Sequence, residues 1–565
     1  MTKFMDGDPS KPELIIEAPE CFFEPRTYLV SSTGPIKAYT ADTNYLMEGT
    51  GFRWQQTRTN ITMILSNKVH TILQRDRSTN ARPTSPPTHI YSDHFRFDSV
   101  NDGERETRVA RYSDRVRVVD ALAELSSDIL TADIPLIGTN VSMLVAESNV
   151  VVVVRKDGSK ATGDKAVYDT RQGRELLELT GNPIWTDGVR RVRADRFTMD
   201  RLRNELLAED HVRIRLPLDA ATPGVFNLSG QPEKSASKAT NSLIEISADL
   251  ARVTVSTNAQ SSRELVAERN VVILSLDDKS RATADKAAFS DATGRLDLTG
   301  NPKWTQGSNM ISGNVLSVVQ SNRSFSAIGQ AFVRVQAGAL GSLTMVAGKT
   351  NAGPQKGSGP TNQIVDIHSD RFDYQTNSAV FSGHVLGGLI VGGQTNFNFT
   401  SDNLSLQLTN NQVNRITARS LILDENPATS ATTNLLKRQV KVGLLTIRRS
   451  PVTGLTETVT AENGVYGEQV ERGLGTNAPV HQSGQANLVV AQFNARTNKV
   501  DGVIAERNVI LRKDAMELHG DRSVYVRRSG SRTQSGTPAE TLAFAAVGRW
   551  PSPRPMPWSP GAGVT

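Results

Sequence analysis

Apolar and polar residues alternate with a period of two along most of this chain, and that period predicts strands rather than helices. Asn149–Lys156 reads NVVVVVRK, runs into the polar turn Asp157-Gly158-Ser159, and restarts as KATGDKAVY over Lys160–Tyr168. Val271–Leu276 (VVILSL) behaves the same way, with DDKS as the turn and RATADKAAF over Arg281–Phe289 as the return. Strand, turn and strand at about ten-residue spacing predict an all-β sandwich, barrel or roll. LELT at Leu177–Thr180 and LDLT at Leu296–Thr299 each end in Gly-Asn-Pro. Proline removes a backbone donor and Gly-Asn tolerates positive φ, so a strand must stop there. Leu177 and Leu179, like Leu296 and Leu298, then share one face. Ser142–Glu147 and Arg201–Leu207 are long enough for a helical turn or two, but their place in the repeat favours strand.

The repeat itself is explicit. Ala146–Trp185 reads AESNVVVVVRKDGSKATGDKAVY…LELTGNPIW, and Ala267–Trp304 reads AERNVVILSLDDKSRATADKAAF…LDLTGNPKW. The offset is 121 residues at the alanine and 119 at the tryptophan. A weaker echo, VIAERNVIL, lies at Val503–Leu511, with TAENGVYG upstream at Thr460–Gly467. SDHFRF at Ser92–Phe97 returns as SDRFDY at Ser369–Tyr374. Self-similarity at a fixed period marks a stack of one supersecondary unit, each copy covering the apolar face of the next. This period exceeds that of the common solenoids, so each copy must hold several strands.

Composition narrows the class. A chain of 565 residues is too long for one compact core, which predicts several domains or an array. With 38% hydrophobic and 22% charged residues it is neither a disordered chain nor, lacking any run near ~18 apolar residues, a helical membrane protein. Linkers rich in Pro, Gly, Ser and Thr fall at Arg77–Thr88, Leu218–Thr240, Ala347–Asn362 and Glu425–Asn434. They suggest a divergent roll over 1–87, units at 88–217 and 241–346, a divergent unit at 363–424, a C-terminal unit at 435–528 and an unstructured Pro-rich tail at 529–565. The net charge of +6 comes from 64 basic and 58 acidic residues that are interspersed. The densest basic cluster is Arg190, Arg191, Arg193 and Arg196; strict alternation puts Arg191 and Arg193 on one face and Arg190 and Arg196 on the other. That arrangement reads as solvated strand faces, not as a nucleic-acid patch, and a modest basic excess suits an anionic amphiphile. Cys21 is the one cysteine, which rules out an internal disulfide and a multi-thiol metal site. MTKFMDGDPSKPELII lacks the charged and apolar regions of a signal peptide, and Glu17-Ala18-Pro19-Glu20 before Cys21 is no lipoprotein cleavage site. Taken literally the chain stays in the cytoplasm; the other readings are a fragment or a misplaced start.

No HExxH, GxSxG, CxxC or GxGxxG occurs, and the eight histidines are scattered. His368 and His384 read as structural. AGKT at Ala347–Thr350 resembles the end of a P-loop, but Leu343 stands where that motif needs glycine. Asp164 and Asp285 sit beside Lys165 and Lys286 in both copies; an active site is usually built once, so these read as architecture. No enzyme activity, metal or cofactor is expected. Trp185 and Trp304, each two residues after proline, either seal a strand corner or line an apolar groove.

The ordered phrases Asn149-Val150, Asp164-Lys165…Tyr168, Gly181-Asn182-Pro183 and Asp210-His211-Val212 carry a resemblance. The second copy offers Asn270-Val271, Ala284-Asp285-Lys286…Phe289 and Gly300-Asn301-Pro302. Together they resemble the OstA-like β-jellyroll repeat of bacterial lipopolysaccharide-transport proteins. The likeness runs over 141–215 and 263–335, more loosely over 88–135, 363–424 and 458–527. Over 24–76 the chain resembles, faintly, the superfamily's membrane-proximal jellyroll. The resemblance implies an elongated array of stacked β-jellyrolls, each an open V whose two sheets enclose an apolar groove for acyl chains. It implies groove-lining positions at Val150, Val152, Tyr168, Leu177, Leu179 and Trp185 in the first copy. In the second they are Val271, Ile273, Ala282, Ala284, Phe289, Leu296, Leu298 and Trp304. The small residues Ala282, Ala284 and Ala287 are expected to leave room for hydrocarbon. The implied partners are lipopolysaccharide or a similar amphiphile, and other β-jellyroll transport proteins joined by edge-strand pairing. Nucleic acid is not among them, and membranes are reached only through partners. The implied place is the periplasm. Family bridge proteins are single short rolls with a signal sequence, so several rolls in one chain suggest a fused bridge. The competing readings are a packed β-scaffold without ligand and a carbohydrate-binding roll, the latter disfavoured by 5% aromatic content.

Overall fold

The computed structural model describes residues 2–4, 12–40, 45–74, 86–101, 106–134, 143–156, 158–171, 175–188, 190–200, 202–218, 242–255, 263–275, 279–290, 292–319, 321–322, 324–336, 363–391, 394–409, 412–425, 435–472 and 478–526. The predicted tail and most of each predicted linker lie outside them. Every strand or helix element among the described residues is a β-strand, thirty-four in all. The all-β, stacked-jellyroll reading of the sequence holds.

Contacts divide the chain into two compact units. One comprises Met1–Leu218, Asn241–Asp277 and Asp285–Ala292; the other comprises Asp219–Thr240, Asp278–Ala284 and Thr293–Thr565. Within each unit, strands pair antiparallel with their neighbours in sequence, including across the linkers. Glu205–Leu218 pairs with Ser242–Val255 in the first unit. Ser324–Gln336 pairs with Gln363–Gln375, and Gln412–Glu425 with Leu435–Arg449, in the second.

The defining local feature is a corner in the middle of each long strand. Along Met143–Val154, Ser148 and Asn149 take φ values of +63° and +54°, and the pairing with Lys160–Asp169 slips between Glu147 and Val150. Asp210 and His211 do the same in Glu205–Leu218, as do Arg269 and Asn270 in Arg263–Ser275. A β-bulge of this kind bends the strand and sharpens its twist. Asparagine and glycine tolerate the left-handed region best, which explains why Asn-Val recurs at this point of the repeat. The intervening strands turn the corner differently, by facing two consecutive residues outward. Asp164 and Lys165 are exposed between inward Gly163 and Ala166; Asp285 and Lys286 are exposed between buried Ala284 and Ala287. The GDK and ADK phrases are therefore corner phrases.

The two corner types bond to each other across strands. Asn149 donates to Asp128 at 2.8 Å and Asn270 to Asp249 at 2.7 Å. His211 and Asp195 meet at 2.8 Å, as do His384 and Asp370 in the second unit. Arg115 grips Asp93 through two bonds of 2.7 Å. At Gly181, a Cβ would land on the Asp164 side chain.

On either side of the corner the strand buries one face. In the first unit, register places Ala166 beside Leu179, then Phe197, Ala208, Ala251 and Ala267, all buried. Past the corner the row runs from Ala161 through Trp185, Val192, Ile214, Ile246 and Ile273. The second unit repeats the scheme with Leu298, Leu316, Ala327, Phe372 and Phe381 on one limb, the last two rings 4.6 Å apart. Trp304, Ile311, Val333 and Ile367 follow on the other. Each fully buried Leu, Ile or Phe contributes about 1.5–3 kcal/mol.

The corner also corrects one expectation. Strict alternation put Arg196 on the opposite face from Arg191 and Arg193. The strand breaks at Ala194-Asp195 between Arg190–Arg193 and Arg196–Asp200. Phase is lost there, so Arg191, Arg193 and Arg196 all point away from buried Val192 and Phe197.

Candidate functional site

The candidate site is the inner face between the two limbs. Eight of the fourteen groove positions read from the repeat are buried and six are intermediate. Val150, Leu179, Val271, Ile273, Ala282, Ala284, Leu298 and Trp304 are buried; Val152, Tyr168, Leu177, Trp185, Phe289 and Leu296 are partly exposed. Trp185 stands opposite Ala161, and Trp304 opposite Ala282. The indole of Trp304 packs edge-on to Phe325 with centroids 6.1 Å apart. The space beside Ala282 is thus taken by protein, and the small residue makes room for a tryptophan. Among the described residues the buried Trp304 Nε1 has no hydrogen-bond partner.

Open interior lies further along the chain. In the second unit an apolar cavity of about 50 Å³ is lined wholly by Leu, Val and Ala. Leu423 and Val440 come from one limb; Leu445, Val459, Val489 and Val503 come from the other. Residues of both limbs bounding one cavity means that the limbs face each other across it. The alternation of SLILDE at Ser420–Glu425 and KVGLLTI at Lys441–Ile447 carried the strand signal, but nothing in it marked a gap.

Beyond the cavity the same inward rows turn polar. Glu425 pairs with Arg438, two residues past Leu423 and Val440, at 2.8 Å, with side-chain exposures of only 19% and 11%. Arg438 also donates to Gln469. A buried charge needs such a full set of partners, because an uncompensated one is strongly destabilising. The interior is therefore greasy in its middle and charged toward one side.

The lysines beside the repeated aspartates pair across strands. Lys165 pairs with Glu147 at 3.0 Å and Lys286 with Glu268 at 2.8 Å, so each lysine bonds to the neighbouring strand and not to the adjacent aspartate. The Glu268 carboxyl is held below its ordinary pKa by that lysine. His211 and His384 are raised, first by their hydrogen bonds to Asp195 and Asp370 and then by the charge of those carboxylates. These groups sit on the exposed side of the corner, where they fix its shape.

No curated protein matches the chain. Residues 238–323, which span the second copy of the repeat, match the family described as LptA/(LptD N-terminal domain) LPS transport protein. A domain of that kind belongs, in general, to the transport of lipopolysaccharide in the cell envelope. The chain thus carries, over residues 238–323, a segment of the OstA-like lipopolysaccharide-transport family.

Proposed function

We propose that the chain is a non-enzymatic, lipid-binding bridge in lipopolysaccharide transport to the outer membrane, working in the periplasm. The observation that carries this reading is the apolar cavity shared by both limbs within the second unit. Hydrocarbon entering it leaves water at about 0.8 kcal/mol per buried methylene. The family match over 238–323 supports the choice of lipopolysaccharide as the amphiphile. On this reading the segments 88–217, 241–346, 363–424 and 435–528 act as consecutive rolls.

Edge-strand pairing with other β-jellyroll transport proteins belongs to the same proposal. Among the described residues Met516–Val526 pairs on one side only, with Val500–Lys513. It exposes Met516, Leu518, Val524 and Val526. An unpaired edge with apolar side chains suits addition of a further strand.

The test is a photo-reactive amino acid at Val459 or Val489, with outward Thr458 or Thr460 as the control. Capture of lipopolysaccharide at the inward positions alone supports the bridge. A packed scaffold is the second reading, favoured by the filled space around Trp304 and Ala282. It predicts capture of neighbouring protein alone, at Val459 as at Ile273, Phe289 or Leu298.

A further inference from the structure

The outer face of the first unit carries a charged feature that the second copy of the repeat lacks. Arg191 stands directly opposite Arg215, and Arg193 directly opposite Arg213, on adjacent antiparallel strands. All four are exposed. Directly opposed side chains have Cβ atoms roughly 4.5–5.5 Å apart, and like charges there are destabilising. The corresponding pairs of the second copy are Met310 with Arg334 and Ser312 with Phe332. There the single arginine is neutralised by Asp366 at 2.7 Å.

Neutralisation in the first copy is incomplete. Arg215 takes Glu245 at 2.8 Å, and Arg193 reaches the Asn182 amide oxygen at 3.5 Å. Among the described residues no carboxylate pairs with Arg191, Arg193 or Arg213. Leu274 lies directly opposite Glu245 on the same outer face, and Leu243 is two residues before Glu245; both are exposed, at 36% and 37%. A compact block of guanidinium groups flanked by exposed leucines combines the two chemistries of a lipid headgroup region. The planar fork of arginine matches phosphate oxygens bidentately. Exposed leucine gains by entering the boundary between headgroups and acyl chains.

We propose that the outer face formed by Arg191, Arg193, Arg213 and Arg215, with Leu243 and Leu274, docks the chain on the phosphate headgroups of an anionic lipid surface. This face is distinct from the inner cavity; on this proposal the chain reaches a membrane directly, where the family resemblance implied contact only through partner proteins. Phosphate chemistry is shared by free phosphate and by headgroups; the leucines favour the lipid source.

The test is co-sedimentation of the full chain with vesicles of phosphatidylcholine alone and of phosphatidylcholine mixed with phosphatidylglycerol. Binding is expected to the mixed vesicles only, and to fall as salt is raised. Arg191→Ser with Arg213→Ser is expected to weaken it roughly tenfold or more, while the thermal midpoint stays the same or rises as opposed charges are relieved. Leu243→Ser with Leu274→Ser is expected to weaken it with all charges kept. Equal binding of the wild-type chain to neutral vesicles would overturn the proposal, whatever the variants do. So would unchanged affinity in the arginine pair, or a thermal shift with inorganic phosphate and no vesicle binding. Lipid capture at Val459 is indifferent to all of these results, so the two functions fail separately.

Discussion

Asn270 donates its side-chain amide to Asp249 across the corner of the roll at 2.7 Å, and Asn149 makes the same bond to Asp128, 121 positions earlier on both strands. Donor and acceptor sit on different strands, and both recur. The repeat phrase is therefore the record of a bend that antiparallel strands must make together.

Replacing Asn270 separates the two jobs of that residue. Asn270→Gly keeps the left-handed backbone and loses one exposed hydrogen bond, for a cost of about 0.5–1 kcal/mol. Asn270→Val adds the penalty of a branched residue at φ +54°, about 1–2 kcal/mol more. Urea midpoints should rank wild type, glycine, valine; a valine variant as stable as the glycine one would remove the corner from the account.

Two glycines at similar φ should respond differently. Gly383, at φ +73°, would place a Cβ against the Asp370 carboxylate, whereas Gly464, at φ +87°, has open space there. Gly464→Ala should cost about 1–2 kcal/mol from the backbone alone. Gly383→Ala should cost more and should also break the bond between Asp370 and His384. Thermal midpoints check the order.

That pair also gives a pH signature. His384 is raised above the ordinary histidine value by Asp370, so folding favours its protonated form. The stabilisation is complete below the unfolded-state pKa and is lost as pH rises through the higher folded-state value. An NMR titration should place the His384 midpoint above that of a free histidine. Asp370→Asn should bring it down, and the same shift is expected at His211 when Asp195 is replaced.

Strands, their faces and the Gly-Asn-Pro stops were legible in the sequence because each depends on neighbours a few residues away. Leu179 and Leu298 are buried, and Leu177 and Leu296 share their faces by period two. Phase across the corner was not legible. Arg196 lies on the same side as Arg191 and Arg193 because backbone at Ala194-Asp195 leaves the strand; Ala194-Asp195-Arg196 repeats the Ala-Asp-basic corner phrase, whose meaning shows only once the bend is seen. The partner of Lys165 was hidden for a similar reason: Glu147 lies 18 residues back and meets it only through strand register. Open space was the least legible feature. Whether Ala282 borders a gap depends on the size of the residue opposite, and Trp304 fills it; around Val459 the facing residues are smaller and a gap remains.

Filling that gap should trade ligand space for stability. Ala461→Val puts two more methyl groups toward a cavity of about 50 Å³ and should add about 0.5–2 kcal/mol. It should also weaken capture of hydrocarbon. Ile311→Ala, in the closely packed interior, should instead cost about 2–5 kcal/mol. A filled variant that is less stable would mean that the gap is already closed.

The most direct measurement is methyl NMR of the full chain, with leucine and valine labelled, during addition of lipopolysaccharide. Shifts should concentrate at Val442, Leu445, Val459 and Val489, the inward methyls of both limbs, and Ala461→Val should reduce them. Shifts confined to outward methyls such as Leu274 and Leu386, with the inward set unmoved, would contradict an interior that receives acyl chains.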